Sequence, residues 1–211
     1  MRKIYLLAII LFCCLAIQAQ ASKPRGTYLN FNYVSSKLKN TSDKSSLKNN
    51  YGAAITIGHT FYLHKEPLWN MVRFGIDWTI FDLNFSQYFD TYFDDYEDDK
   101  VKIYQGEAGM HVGPSITVTP LNGLNISGYF RYAPSYAAIY DDYSENFSGT
   151  YGSFFVSGLS VSYKLISLGI ENRWGSAKYK FDYEEDEYEE PTSYKQKLKT
   201  SGARFYLGFR F

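Results

Sequence analysis

The amino-acid sequence predicts an all-β protein, an eight-stranded antiparallel up-and-down transmembrane β-barrel. Three observations carry that prediction. Segment after segment alternates large apolar residues with small, polar or charged ones. The connections between these segments alternate as well, long then short. Finally, beyond the first residues there is no apolar run of the ~20 residues that a membrane helix needs, so a membrane-bound chain would have to cross as strands.

The first residues, "MRKIYLLAIILFCCLAIQAQA", read as a leader. Arg2 and Lys3 form a positive start, residues 4–17 are apolar, and Ala19 and Ala21 offer a small-x-small cleavage pattern. Residues 1–21 are therefore expected to be a cleaved signal peptide and residues 22–211 the mature domain. Both cysteines, Cys13 and Cys14, fall inside the leader. Leu11 and Phe12 precede them, where a lipidation site wants small residues. The mature chain is thus expected to carry no thiol, disulfide or cysteine metal site.

Composition narrows the class further. The 22 basic and 22 acidic residues balance, and losing Arg2 and Lys3 leaves a slight acidic excess. No basic footprint suggests nucleic acid. An aromatic content of 19% is far too high for a disordered chain.

The strands follow in order. Residues 27–34 set Leu29, Phe31 and Tyr33 against Tyr28, Asn30 and Asn32. Residues 51–62 set Tyr51, Ala53, Ile55, Ile57 and Phe61 against Gly52, Ala54, Thr56, Gly58 and Thr60. Residues 71–85 set Val72, Phe74, Ile76, Trp78 and Ile80 against Arg73, Gly75, Asp77 and Thr79. In residues 101–119, Ala108, Met110, Val112, Ile116 and Val118 oppose Gln105, Glu107, His111, Ser115 and Thr117. Residues 124–132 oppose Leu124, Ile126 and Phe130 to Asn125, Ser127, Tyr129 and Arg131. Residues 151–165 place Leu159, Val161 and Tyr163 opposite Gly158, Ser160 and Ser162. Residues 166–180 place Leu168, Ile170 and Trp174 opposite Gly169, Glu171 and Arg173. The last, "GARFYLGFRF", gives an apolar face of Ala203, Phe205, Leu207, Phe209 and Phe211, and another face carrying Arg204, Tyr206 and Arg210. Successive side chains of a strand point to opposite faces, so each segment has one greasy side.

Long polar connections are expected at 35–50, 86–100, 133–149 and 181–197. Short turns are expected at "HKEPLWN", "PLNG" and near Lys164 to Ile166, the last without a Gly or Pro to mark it. Four long loops on one side and three short turns on the other describe a barrel with extracellular loops and periplasmic turns. A soluble sandwich or lipocalin-like barrel also alternates. The minority face here is small, polar or charged, while the majority face is large and apolar, as lipid requires.

Taken together, the leader, eight alternating strands, rotating loop lengths and terminal "YLGFRF" resemble the small eight-stranded outer-membrane barrels of the OmpA/OmpX type. The resemblance covers the mature chain but is architectural rather than a residue motif. It implies a bacterial outer-membrane location, outer-membrane lipid around the wall, and barrel-insertion machinery as a partner in assembly. A C-terminal aromatic strand is the assembly signal of that family, matched here by Leu207, Phe209 and Phe211. No peptidoglycan-binding domain is expected after this strand, a departure from the longer members and their role.

Eight strands enclose a space that side chains just fill. Arg73, Asp77, Glu107, Arg131, Glu171, Arg173, Arg204 and Arg210, with His111 on the same face, are therefore expected to form a packed lumen network. A narrow pore with mild anion preference is the alternative, since three acids face five arginines. An enzyme reading would need a lipid-modifying set built on a histidine. His111 and Glu107 lie four residues apart on one strand, roughly 13 Å, too far for a direct hydrogen bond. His59 falls on the lipid-facing parity and His64 in a turn. No catalytic set, cofactor or metal is expected. The acidic runs "DTYFDDYEDD" and "DYEEDEYEE", in the loops at 86–100 and 181–197, fit no defined calcium loop. Their interleaved aromatics suggest contact with an extracellular protein or glycan. Lys37, Lys39, Lys44 and Lys48 are candidates to pair with those acids or with lipopolysaccharide phosphates.

Overall fold

A computed structural model describes residues 25–41, 45–94, 97–142, 146–183 and 192–211. The leader at 1–21 lies outside the described residues. Eight strands form one closed antiparallel ring: β1 Thr27–Asn40, β2 Ser46–Tyr62, β3 Val72–Asp94, β4 Glu97–Leu121, β5 Leu124–Asp141, β6 Asn146–Tyr163, β7 Ile166–Tyr183 and β8 Thr192–Arg210. Each strand pairs with the next in sequence, and β8 returns to β1, with Tyr28 opposite Arg210 and Asn40 opposite Leu198. Beyond the last strand residue, Thr27 and Phe211 exchange backbone hydrogen bonds of 3.0 and 3.2 Å. Closure leaves no free sheet edge around the wall.

The polarity is inverted relative to a soluble protein. Phe31, Ile55, Phe74, Ile116, Leu159, Leu168 and Leu207 all point outward and are 40% exposed or more. Arg131, Arg204, Glu107, Glu171 and His111 point inward and are almost completely buried. Such a wall is stable only where hydrocarbon covers it, because hydrocarbon tolerates no unpaired backbone edge and favours a large apolar face.

The strands run well past the expected loop boundaries. Residues 35–40, 46–50, 86–94, 97–100, 133–141, 146–149, 181–183 and 192–197 are strand, so the connections expected at 35–50, 86–100, 133–149 and 181–197 are mostly extended hairpin. The physical reason is that pairing continues above the lipid, where the outward face no longer has to be apolar and the lipid-facing alternation fades. Inward residues still alternate there: Leu38 on β1, Ala137 and Ile139 on β5, and Tyr179 on β7 are buried. The opposite end keeps its short turns. Asn122 and Gly123 join β4 to β5, with Gly123 at φ +84°. Lys164 and Leu165 join β6 to β7, with Lys164 at φ 53°, a left-handed conformation that costs a non-Gly residue about 1 kcal/mol.

β3 departs from simple alternation. Ile80 and Phe81 both face outward, 48% and 45% exposed, between buried Thr79 and buried Asp82. Against β2, Ile57 pairs with Phe81 and Gly58 with Thr79; against β4, Thr79 pairs with His111 and Asp82 with Gly109. One extra residue on β3 therefore makes a β-bulge that flips the inward parity from odd to even numbers. From that point Asp82, Asn84, Ser86 and Tyr88 face the lumen.

Leu207 sits outward in the apolar part of β8, nearer Phe209 than Lys199, opposite Phe31 on β1 and Leu168 on β7. Leu207→Arg is expected to destabilise the inserted barrel by about 1–3 kcal/mol, short of the full midplane cost, read from denaturant titration in lipid vesicles.

Candidate functional site: the buried lumen

The lumen is layered along the barrel axis. At the short-turn end, Tyr28, Tyr129 and Tyr206 lie against Gly58, Gly158 and Gly169, where a Cβ would collide with each ring. Each tyrosine thus occupies space its cross-strand glycine leaves free, which is how large rings fit into so narrow a ring of strands. At the long-hairpin end, Leu38, Tyr88, Ala137, Ile139, Ala177, Tyr179 and Leu198 form an apolar cluster. The charged layer lies between the two.

Asp82 is the centre of that layer. Arg204 binds it bidentately, Nη1 to Oδ1 at 2.9 Å and Nη2 to Oδ2 at 3.1 Å. Arg173 Nη1 and His111 Nε2 each lie 3.4 Å from Oδ2, and the Thr56 hydroxyl donates to Oδ1 at 2.8 Å. Arg173 also reaches Glu107, Nη2 to Oε2 at 2.9 Å, and stacks over the Phe154 ring at 4.2 Å. A single guanidinium therefore links His111 and Glu107, which are too far apart on β4 to touch. Asn84 donates to the same Glu107 oxygen at 3.1 Å.

A second group centres on Arg131. Its Nη1 donates to Asp77 Oδ1 at 3.2 Å and to the Thr79 hydroxyl at 2.6 Å, and its Nη2 pairs with Glu171 Oε1. Tyr28 and Thr60 donate to the two oxygens of Asp77, each at 2.8 Å, and Tyr129 donates to Glu171 at 2.8 Å. Arg204 Nη1 lies 3.8 Å from Glu171 Oε2 and so joins the two groups. Fully desolvated charges are tolerable only in such mutually paired sets.

The other expected members stand apart. Arg210 is buried but has no carboxylate partner among the described residues; it donates to Ser160 at 3.4 Å and lies over the Tyr28 ring at 5.4 Å. Arg73 faces inward at the short-turn mouth, only half-buried, and no ion pair joins it to the network among the described residues. Parity alone placed it with the others, but its height on β3 keeps it near water. Asp82 is the residue that the alternation missed. The signal was present: "TIFDLNFSQY" has two adjacent large apolar residues, then a second alternation one step out of phase.

Leu207 faces lipid and Phe209 and Phe211 are half-buried at the β1–β8 seam.

Chemically, the layer is balanced rather than poised. His111 Nε2 lies between Asp82 and Arg173, 3.3 Å from the latter's Nη1. A neutral ring either donates there to Asp82 or accepts from Arg173. No hydroxyl is hydrogen-bonded to His111 among the described residues, so no activated nucleophile is assembled on it. His59 is on the outer wall, its Nδ1 2.9 Å from the Thr27 hydroxyl, and no carboxylate orients it among the described residues. No group of three His, Cys, Asp or Glu side chains converges on a metal-sized site among the described residues. A lumen cavity of about 10 Å³ beside Arg173, Arg204 and Asn84 has room for about one water.

An eight-stranded closed wall, apolar outside and ionic inside, is an integral outer-membrane β-barrel. Three solved structures are similar to it in fold: Neisserial surface protein A (NspA), at 14% identity and TM-score 0.43 over 90% of this chain and 99% of that one; Ail, the attachment invasion locus protein of Yersinia pestis, at 9% identity and TM-score 0.43 over 90% and 100%; and the outer membrane protease OmpT from Escherichia coli, at 10% identity and TM-score 0.49 over 92% and 100%. No family model matches the chain, and no curated protein does. At these similarities the class rests on the closure and inverted polarity of the chain itself.

Removing Asp82 is expected to cost more than removing any one of its cationic partners. Asp82→Leu leaves Arg204, Arg173 and His111 facing an empty position, a loss of about 3–5 kcal/mol. Arg204→Leu leaves Asp82 with Arg173, His111 and Thr56 and should cost less. The double variant should recover much of the Asp82→Leu loss. Equilibrium unfolding in lipid, read as a double-mutant cycle, tests that order.

Proposed function

We propose that this chain is a non-catalytic integral outer-membrane barrel with a filled lumen, a wall element of the cell envelope that presents its extracellular hairpins for contact. The observation that carries the reading is the sealed charged layer. Asp82, Glu107, Glu171, Arg131 and Arg204 are each within 2% of complete burial, under an apolar cluster and above tyrosines packed on glycines. An ion path would need those pairs to separate, and a substrate would need a route to His111. In planar bilayers the folded protein is expected to be silent. Overexpression should leave lipid A and phospholipid profiles unchanged, and His111→Ala should change neither. Discrete conductance steps, or a lipid modification lost in His111→Ala, would overturn the reading.

Contact with an extracellular protein or glycan falls to the β3–β4 and β7–β8 hairpins. Their outer residues, 86–100 and 181–197, carry acids interleaved with tyrosines and phenylalanines. A surface with many rotatable charges and rigid aromatic anchors suits adhesion better than catalysis.

Assembly is read from the last strand. Phe211 completes the β1–β8 seam, and Leu207 and Phe209 continue the same outward row. Phe211→Asp should lower the inserted fraction in cells and leave unfolded chain in the periplasm. Insertion at the unmodified level would remove the assembly role of Leu207, Phe209 and Phe211.

A further inference from the structure

The outward face changes character with height, and on one half of the barrel it becomes basic. Lys178 on β7 lies directly opposite Lys197 on β8, and Lys180 opposite Lys195. Across the seam, Lys39 on β1 lies opposite Lys199, and Lys37 opposite Lys48 on β2. All eight lysines are exposed on the lipid-facing parity. Like charges directly opposite each other on one sheet face are destabilising. Four such pairs run side by side over four adjacent strands. Among the described residues no carboxylate pairs with Lys37, Lys39, Lys48, Lys178, Lys195, Lys197 or Lys199. The other half of the wall carries rings at this height: Phe85, Tyr104 and Tyr140 stack in a row with centroids 6.1 and 6.4 Å apart. Lys102 on β4 is also exposed on that half, but it lies opposite Phe89 and not opposite another lysine. Among the described residues the cross-strand lysine pairs are therefore a property of one side.

Their height identifies what they meet. Lys199 lies ten residues along β8 from Phe209. That is about 34 Å of strand, or about 25 Å of membrane height at a tilt near 40°, which matches the apolar band of such barrels. Below Lys199 the outward row is Ser201, Ala203, Phe205 and Leu207. The lysines begin where hydrocarbon gives way to headgroups, and they point sideways rather than upward.

We propose that this lysine face binds the phosphate groups of lipids in the outer leaflet, taking each phosphate between lysines of adjacent strands. The inference rests on the outer-membrane reading. The occupant follows from charge and position: an anion between two ammonium groups turns a repulsive cross-strand pair into a bridged one, and phosphates of lipid headgroups are at this height. An acidic soluble partner would have to reach down into the headgroup layer. Within the chain, the acidic run of residues 182–190 belongs to the same hairpin in sequence and is the competing counter-ion.

The test compares two nanodisc preparations, phosphatidylcholine doped with bisphosphorylated lipid A or with the same lipid after removal of its phosphates. The protein is compared with a variant carrying Lys39→Gln, Lys178→Gln, Lys197→Gln and Lys199→Gln, and with Lys65→Gln in the periplasmic turn as a control. In discs with dephosphorylated lipid, the fourfold variant should melt above the unmodified protein, because it has lost only repulsion. In discs with phosphorylated lipid the order should reverse, and the variant should retain the lipid at least about fivefold less by native mass spectrometry. Millimolar inorganic phosphate should not reproduce the reversal. Equal melting in both preparations would overturn the proposal, as would the same shift from free phosphate. So would a lipid effect that appears only after the acids of 182–190 are replaced by Gln. A chain that fails to enter either disc would instead overturn the outer-membrane reading itself.

Discussion

Three arginines sit in the middle of this barrel away from bulk water, and the position of one carboxylate, Asp82, decides whether two of them can. Asp82 accepts from Arg204 through both oxygens and from Arg173 through one, and Arg204 in turn touches Glu171, the partner of Arg131. Buried pairs of this kind give little net stability relative to an apolar filling, because desolvation cancels much of the attraction. Their larger effect is on register. A one-residue slip of β8 would turn Arg204 and Arg210 into lipid and Phe205 and Leu207 into the charged layer, and an arginine so displaced costs about 2–4 kcal/mol near the midplane, where Arg204 lies, and about 0–1 kcal/mol near the interface, where Arg210 lies. The charges thus exclude wrong pairings more than they strengthen the right one.

Much of this was legible from alternation. The inward placement of Asp77, Glu107, His111, Arg131, Glu171, Arg173, Arg204 and Arg210 follows from strict period-2 reading of strands bounded by lipid, where every second residue is forced to be apolar. Two things were not legible. Asp82 sits beyond a bulge, and a period counted from one side of a bulge gives the opposite face on the other. The out-of-phase run from Asp82 to Tyr88 was the only local trace. The hairpins above the lipid were read as loops because hydrophobic alternation reports lipid contact and not backbone pairing. Arg73 shows a third limit: parity gives the face a side chain takes, but depth decides whether it is desolvated.

The two ends of the lumen are built differently from the middle. Tyrosine against glycine at the short-turn end and aliphatic packing at the long-hairpin end both keep bulk water from the charged layer. That exclusion makes the ion pairs obligatory, since a charge without its partner has no solvent to fall back on. The outer wall has a similar division, apolar around its full circumference lower down, then aromatic on one side and basic on the other.

The strand order has a kinetic consequence. Seven of the eight pairings join strands consecutive in the chain, and each needs only a hairpin; the eighth joins residues 27–40 to 198–210. The entropy of bringing distant segments together is therefore concentrated in a single late event, the meeting of β1 with β8. Before it, the sheet is an open ribbon with two bare edges, and Arg204 has only one wall of its final surroundings. Sheet growth and ring closure are then separable steps, with the hairpins setting the speed of the first and the residues from Thr27 to Asn40 governing the second.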